Sequence, residues 1–299
     1  MKEPEDARDK LKKLIDQVED LPTLPSVVPR LISLVEKSDT TAADLNAVIT
    51  QDPALTAKVL KLVNSAFYGF SRQITTVSEA VVILGFNAIK SLALSASVFE
   101  VLSGEGSPRF DRVGIWKHSV ATGVAAETAA KWVRFPNPEE VMVAGILHNI
   151  GKIVLDIYFS EELAEILDYI EENDCTMLEA EKRVLGVGHP RIGGWLASHW
   201  NLPASLEAGI TYYRDPFQAD EEVRRLPCLI HVGDVLARTK NVGWAGDEKT
   251  PDYREEVWKE LEVEKEDIEV MLEQLERNLD KAEAFMKLAT NQGRIDGDG

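Results

Sequence analysis

The run Val143–Leu155, VAGILHNIGKIVL, is too apolar to lie anywhere but in a core, and it takes His148 and Asn149 in with it. An unpartnered polar group in an apolar interior costs roughly 2–7 kcal/mol. Whatever fold this chain adopts must therefore bring bonding partners to that pair.

The surrounding sequence says what kind of fold that is, because apolar residues recur at helical spacing almost throughout. Leu11, Leu14, Ile15 and Val18 predict a helix within residues 1–20, ended by the LPTLP segment at 21–25, where proline disfavours helix and cannot donate an amide. Val28, Leu31, Ile32 and Val35 mark the next helix, and residues 41–49 a third. Asp52 as N-cap and Pro53 in the first turn open a fourth, with Leu55, Val59, Leu62 and Val63. Residues 77–99 read as two helices hinged near Gly85, and VVIL at 81–84 is helix rather than strand because no alternating partner lies near it. A polar break, SGEGSPR at 103–109, is the best internal boundary. Helices are predicted beyond it over 110–133, 138–149, 150–158, 161–173, 177–185, 190–200, 203–213 and 219–239. A loop from Lys240 then leads to a long C-terminal helix over 252–290, with Ile268, Met271, Leu272, Leu275, Leu279 and Phe285 near heptad spacing. That stripe is either a docking face or the seam of a homodimer. Residues 291–299 read as a frayed tail.

The expected fold is thus all-α, with a helical layer over 21–102 packed on a helical bundle over 110–239. At 299 residues, 44% hydrophobic, the chain can bury a substantial core without staples. Its 33 basic residues face 51 acidic ones, a net charge of -18 that repels phosphate backbones and predicts no nucleic-acid partner, while leaving a small local anion site open. Cys175 and Cys228 stand alone and fit a reducing compartment. The opening MKEPEDARDK has no apolar leader and no stretch approaches 18 uninterrupted apolar residues, so a soluble, cytoplasmic chain with no membrane partner is expected.

Of five histidines, His118, His148, His189 and His231 fall on helix faces that turn inward; His199 is the fifth. His118 shares its face with Thr122, Ala125, Ala126 and Ala129, small residues that admit a close helix neighbour. His148 lies on the buried stripe near its helix end, with Gly151 as a candidate end cap. His231 and Asp234 sit at i and i+3, after Pro227 at an expected first turn. Imidazole plus carboxylate suits a divalent ion that makes hydroxide from bound water; each histidine alone is better explained as a buried hydrogen bonder filling a helix junction.

Taken jointly, His118, then His148-Asn149 in an apolar helix, then Asp234, resemble the H…HD…D ligand pattern of the HD-domain metal-dependent phosphohydrolases. LPTLP at 21–25, QDPALTAKVLKLVNSAFYG at 51–69, TVSEAVVILGFNAIKSLALS at 76–95 and GHPRIGGWLASHWNLP at 188–203 resemble one signalling branch of that superfamily, the HDOD domain. The likeness runs from about Leu21 to Ala237. It implies an all-helical bacterial signal-transduction module whose second layer is an HD-like bundle.

One departure governs the function. Active superfamily members place an aspartate, itself a metal ligand, where this chain has Asn149. The set His118, His148, Asn149 and Asp234 then supplies one negative charge instead of two, which weakens hold on a dication and raises the pKa of its water. The resemblance implies a vestigial or weak site for iron, manganese, zinc or nickel and no confident catalytic residue. His189 is either an additional ligand or the N-cap of the helix that Pro190 opens, and Lys152, Arg191 and His231 are candidate ligand or anion contacts. The GYP signature of cyclic dinucleotide phosphodiesterases is absent. No dinucleotide fingerprint, phosphate loop or nucleophile elbow occurs, and Trp116, Trp132, Trp195 and Trp200 read as helix-junction packing. Two functions remain: a non-catalytic module that binds a signalling protein or small ligand in the groove between the layers, and a residual phosphohydrolase acting on a nucleotide or other phosphate ester.

Overall fold

The computed structural model describes residues 25–36, 40–65, 68–102, 107–250 and 254–279. The predicted helix over 1–20, the LPTLP segment up to Leu24, much of the 103–109 break, the chain beyond Leu279 with Phe285, and the tail lie outside them. The described residues form helices and no strand.

The first layer contains α1 (Val27–Glu36), α2 (Ala42–Ile49), α3 (Pro53–Val63), α4 (Val77–Leu84) and α5 (Phe86–Val101). Each start is written locally. Thr41 and Asp44 form a reciprocal capping box on α2, Asp52 accepts from the Leu55 amide ahead of α3, and Thr76 accepts from the Glu79 amide at α4. The hinge between α4 and α5 is Gly85, whose φ of 90° is left-handed backbone that a side chain would strain.

The bundle is built on α6 (Arg112–Trp132), flanked by α7 (Pro138–Leu147) and α13 (Arg225–Thr239). Its neighbours come close because the contact residues are small. A Cβ added to Gly145 on α7 would lie 2.7 Å from the Cα of Gly123 on α6, so the two backbones touch there. Around this pair stand α8 (Ile150–Tyr158), α9 (Ser160–Asn173), α10 (Met177–Val184), α11 (His189–His199) and α12 (Ala204–Tyr212). The span Pro138–Tyr158 is apolar and long enough to pass for a membrane crossing, yet it folds as α7 and α8 with 89% of its apolar window buried inside the protein. The first layer docks on this bundle through α5 against α7.

Three expectations are corrected. The helix predicted to start at Ala219 starts at Arg225: Pro216–Gln218 forms a 3-10 turn, and Ala219 leaves it with an extended ψ of 151°, off any helical path. The single C-terminal helix is two among the described residues, α14 (Glu255–Glu260) and α15 (Lys265–Leu279), because Glu262 adopts a left-handed φ of 56° and the Val263 amide closes back on the Trp258 carbonyl. Trp132, in the last turn of α6, is 40% exposed rather than packed in a junction. On α15, Met271 and Leu275 are fully buried, and the helix packs along α6 within the same chain.

Candidate functional site

His118 on α6, His148 at the end of α7 and Asp234 on α13 meet in the bundle core, each with a donor atom within 4.8 Å of the others. His118 Nε2–H donates to Asp234 Oδ1 at 2.8 Å, and His148 Nε2 stands 3.9 Å from that oxygen. His148 Nδ1–H donates to the Gly145 carbonyl three residues back, so its tautomer leaves Nε2 as a bare lone pair, buried and without a hydrogen-bond partner.

Asn149 faces elsewhere. Its amide Nδ2 donates to Ser119 Oγ at 3.3 Å, and its Oδ1 lies 3.5 Å from the Tyr213 hydroxyl. That hydroxyl proton has a better acceptor in His189 Nε2, 2.6 Å away. His189 is fully buried and is neither a helix cap nor beside Asp234: Gly188 is the N-cap of α11, and both the His189 backbone N–H and Nδ1 engage Glu181 Oε2, at 2.8 and 2.6 Å. Gly151 is not an end cap either. It lies inside α8, where an added Cβ would fall 2.0 Å from the His189 carbonyl oxygen, and this contact presses α8 onto the start of α11.

Of the remaining candidates, Lys152 is fully buried and donates to the Ala245 carbonyl at 2.6 Å. His231 Nδ1–H donates to the Tyr213 carbonyl at 3.1 Å. Arg191 sits apart from the cluster, bonded to Gln218 at 2.9 Å and lying over the Tyr212 ring. His199 is exposed and stacked on Trp195.

A sequence profile of the HDOD domain matches residues 21–216. The chain belongs to the HDOD domain family. An uncharacterised protein of Treponema pallidum is 30% identical over 230 residues, 75% of this chain and 44% of that protein, and the uncharacterised Bacillus subtilis protein YuxH is 26% identical over 162 residues, 52% and 39% of the two chains. The HDOD chain thus spans less than half the length of either curated relative. In fold it is similar to an HDOD domain protein of unknown function from Geobacter sulfurreducens, with a TM-score of 0.82, 22% identity and coverage of 95% and 98%. It is also similar to a candidate signal transduction protein from Marinobacter aquaeolei, with a TM-score of 0.75, 24% identity and coverage of 95% and 66%.

In this HDOD bundle the donor atoms have the geometry for one ion, but the charges do not fit a dication. Arg238 Nε lies 3.2 Å from Asp234 Oδ1 and Arg214 Nη1 lies 3.3 Å from Oδ2. Burial pushes the Asp234 carboxyl up, but the two guanidiniums and the His118 hydrogen bond hold it well below the usual range. Arg238 also pairs with Asp247 at 2.8 Å. Burial, reinforced by Arg238 and Arg214, brings Lys152 down to about 7, and burial raises Glu181 to about 8. Near neutrality two carboxylates, Asp234 and Asp247, thus stand against two guanidiniums, Arg214 and Arg238, while Glu181 and Lys152 lie close to their neutral forms. Burial lowers all four interior histidines, His231 to about 4, so they add no charge near neutrality. A dication placed here would bring two uncompensated charges into a core that balances without it, and His118 Nε2 is already committed as a donor.

Arg214, Arg238, Asp247, Glu181 and Tyr213 are the residues that sequence reasoning missed. One signal was available: Arg238 follows Asp234 by four residues on one helix face.

Proposed function

We propose that this chain is a non-catalytic HDOD signalling module, in which the former metal site holds the bundle together and a protein partner or small ligand binds the groove between the helical layers. The observation that carries this reading is the Asp234 carboxylate, already engaged by His118, Arg214 and Arg238. Asn149 supports it by supplying an amide where the superfamily pattern has a second carboxylate. The signal-transduction description of the Marinobacter aquaeolei protein agrees with it.

The residual-phosphohydrolase reading keeps an observation of its own: His148 Nε2 and Asp234 Oδ2, two potential ligand atoms of the cluster, are buried without hydrogen-bond partners. Elemental analysis of protein purified without chelator separates the two, alongside an assay on bis-p-nitrophenyl phosphate with added manganese. The wild type is expected to hold no stoichiometric transition metal and to be inactive. Asn149→Asp alone is expected to stay so because Arg214 remains, whereas Asn149→Asp with Arg214→Ser gains metal. Stoichiometric metal and metal-dependent hydrolysis in the wild type would sink the non-catalytic reading.

A further inference from the structure

Between the two layers, α4 and α5 on one side and α6 and α7 on the other, with Tyr68 and with Asn278 of α15, line a half-open cavity of about 300 Å³, the size of a small-molecule site. Leu92, Met142 and Ile146 give it apolar walls. One of its polar groups is left without a partner. The Ser95 hydroxyl is buried, with the residue 1% exposed, and has no hydrogen-bond partner, whereas Ser97 on the same helix donates to the Ala93 carbonyl in the ordinary way. Buried polar atoms are rarely left so, and an orphan lining a cavity is explained by something that enters it.

The charges say what enters. Glu127 is 6% exposed and lines the cavity with a second carboxylate, Glu139; among the described lining residues Lys131 is the one base. Phosphates and carboxylates would meet a net negative wall. Lys131 Nζ rests 3.0 Å from Glu127 Oε1, yet its side chain is 58% exposed and free to swing outward. The chain thus already seats one ammonium on Glu127, and it does so with a group that can be displaced.

We infer that this cavity binds a small organic cation, a primary amine on a short apolar body, whose ammonium replaces Lys131 on the Glu127 carboxylate while Ser95 Oγ accepts a further hydrogen bond from it. The inference deepens the regulatory reading by naming the ligand class of the groove, and rests on that reading only for the ligand's role as a signal. A chain that hydrolyses phosphate esters yet binds amines would keep the site and lose the signal.

The test is calorimetric titration of the full chain with three probes of one length: hexylammonium, 1-hexanol and hexanoate. Hexylammonium is expected to bind at one site about tenfold tighter than hexanol, the ratio one charge-assisted hydrogen bond supplies, and hexanoate not at all. Glu127→Gln brings hexylammonium down to the hexanol affinity, and Lys131→Ala, which removes the resident competitor, tightens it several-fold. Ser95→Leu fills the space and abolishes binding of both, with the melting curve reporting that the fold persists. Equal affinity for amine and alcohol, no saturable binding of any probe, or an affinity that Lys131→Ala leaves unchanged would each overturn the proposal.

Discussion

Around Asp234, three side chains from the same chain engage one carboxylate at 2.8 to 3.3 Å, whereas in the cavity between the layers Glu127 has a single half-exposed lysine and Ser95 has no partner. Both places are buried and polar, and both lie against α6. They differ in how many fixed charges the chain brings to the carboxylate, not in whether every polar atom is satisfied, since His148 Nε2 and Asp234 Oδ2 lack hydrogen-bond partners as Ser95 Oγ does. At Asp234, His118 of α6, Arg214 after α12 and Arg238 of α13 converge on one acid; at Glu127 one lysine of the same helix does. On the reading proposed above, the Asp234 cluster serves the structure and the cavity between the layers serves the ligand.

The sharpest way to break this comparison is to remove the hub of the closed cluster. Asp234→Ala leaves two guanidiniums facing each other without their shared carboxylate and should cost about 3–5 kcal/mol, measured by urea unfolding. A loss below about 1 kcal/mol would mean that the cluster does not hold the bundle. Next comes acid. His231 is at about 4 in the folded chain against about 6.5 unfolded, so between those values the unfolded chain binds the extra proton. Stability contributed by neutral His231 is therefore intact above pH 6.5 and falls by about 3 kcal/mol as pH drops to 4. Denaturant midpoints at pH 7 and 4.5 should converge partly in His231→Gln, and an unchanged gap would remove that histidine from the account.

Smaller still is Gly151→Ala, which drives a methyl against the His189 carbonyl and should lower stability by about 1–3 kcal/mol in a thermal melt. A neutral result would mean that α8 and α11 separate easily. At the other pole, Glu127→Gln removes only an i,i+4 ion pair with an exposed partner, and should change stability by no more than about 0.5 kcal/mol. A large loss there would make the cavity another structural cluster and erase the contrast.

How much of this could be read from the residues follows from where each signal resides. Helical periodicity and caps such as Thr41, Asp52 and Thr76 are local, and the helices appeared near where they were expected. The meeting of His118, His148 and Asp234 was legible because the family pattern fixes it and because the small residues Thr122, Ala125, Ala126 and Ala129 beside His118 admit a close helix neighbour. Arg214 was not legible: it arrives from the end of α12, twenty residues before Asp234, and only packing brings it there. Ala245 and Asp247 come from a loop, which has no period to read, yet they receive Lys152 and Arg238. The break at Glu262 escaped because it precedes the heptad-like stripe, which begins at Ile268, and no glycine or proline between 252 and 267 marks a turn. The cavity has no sequence signature at all, since it is defined by space that the side chains of five helices and Tyr68 fail to fill.

The lysine seated on Glu127 has a consequence of its own. It is tethered one helical turn away, so it competes at a constant local concentration, on the order of millimolar for a short flexible link. An incoming amine is measured against that internal standard and not against empty space. The tether therefore sets a threshold: scarce ligand leaves the lysine in place, abundant ligand evicts it, and the length and flexibility of one side chain tune the concentration at which the change occurs.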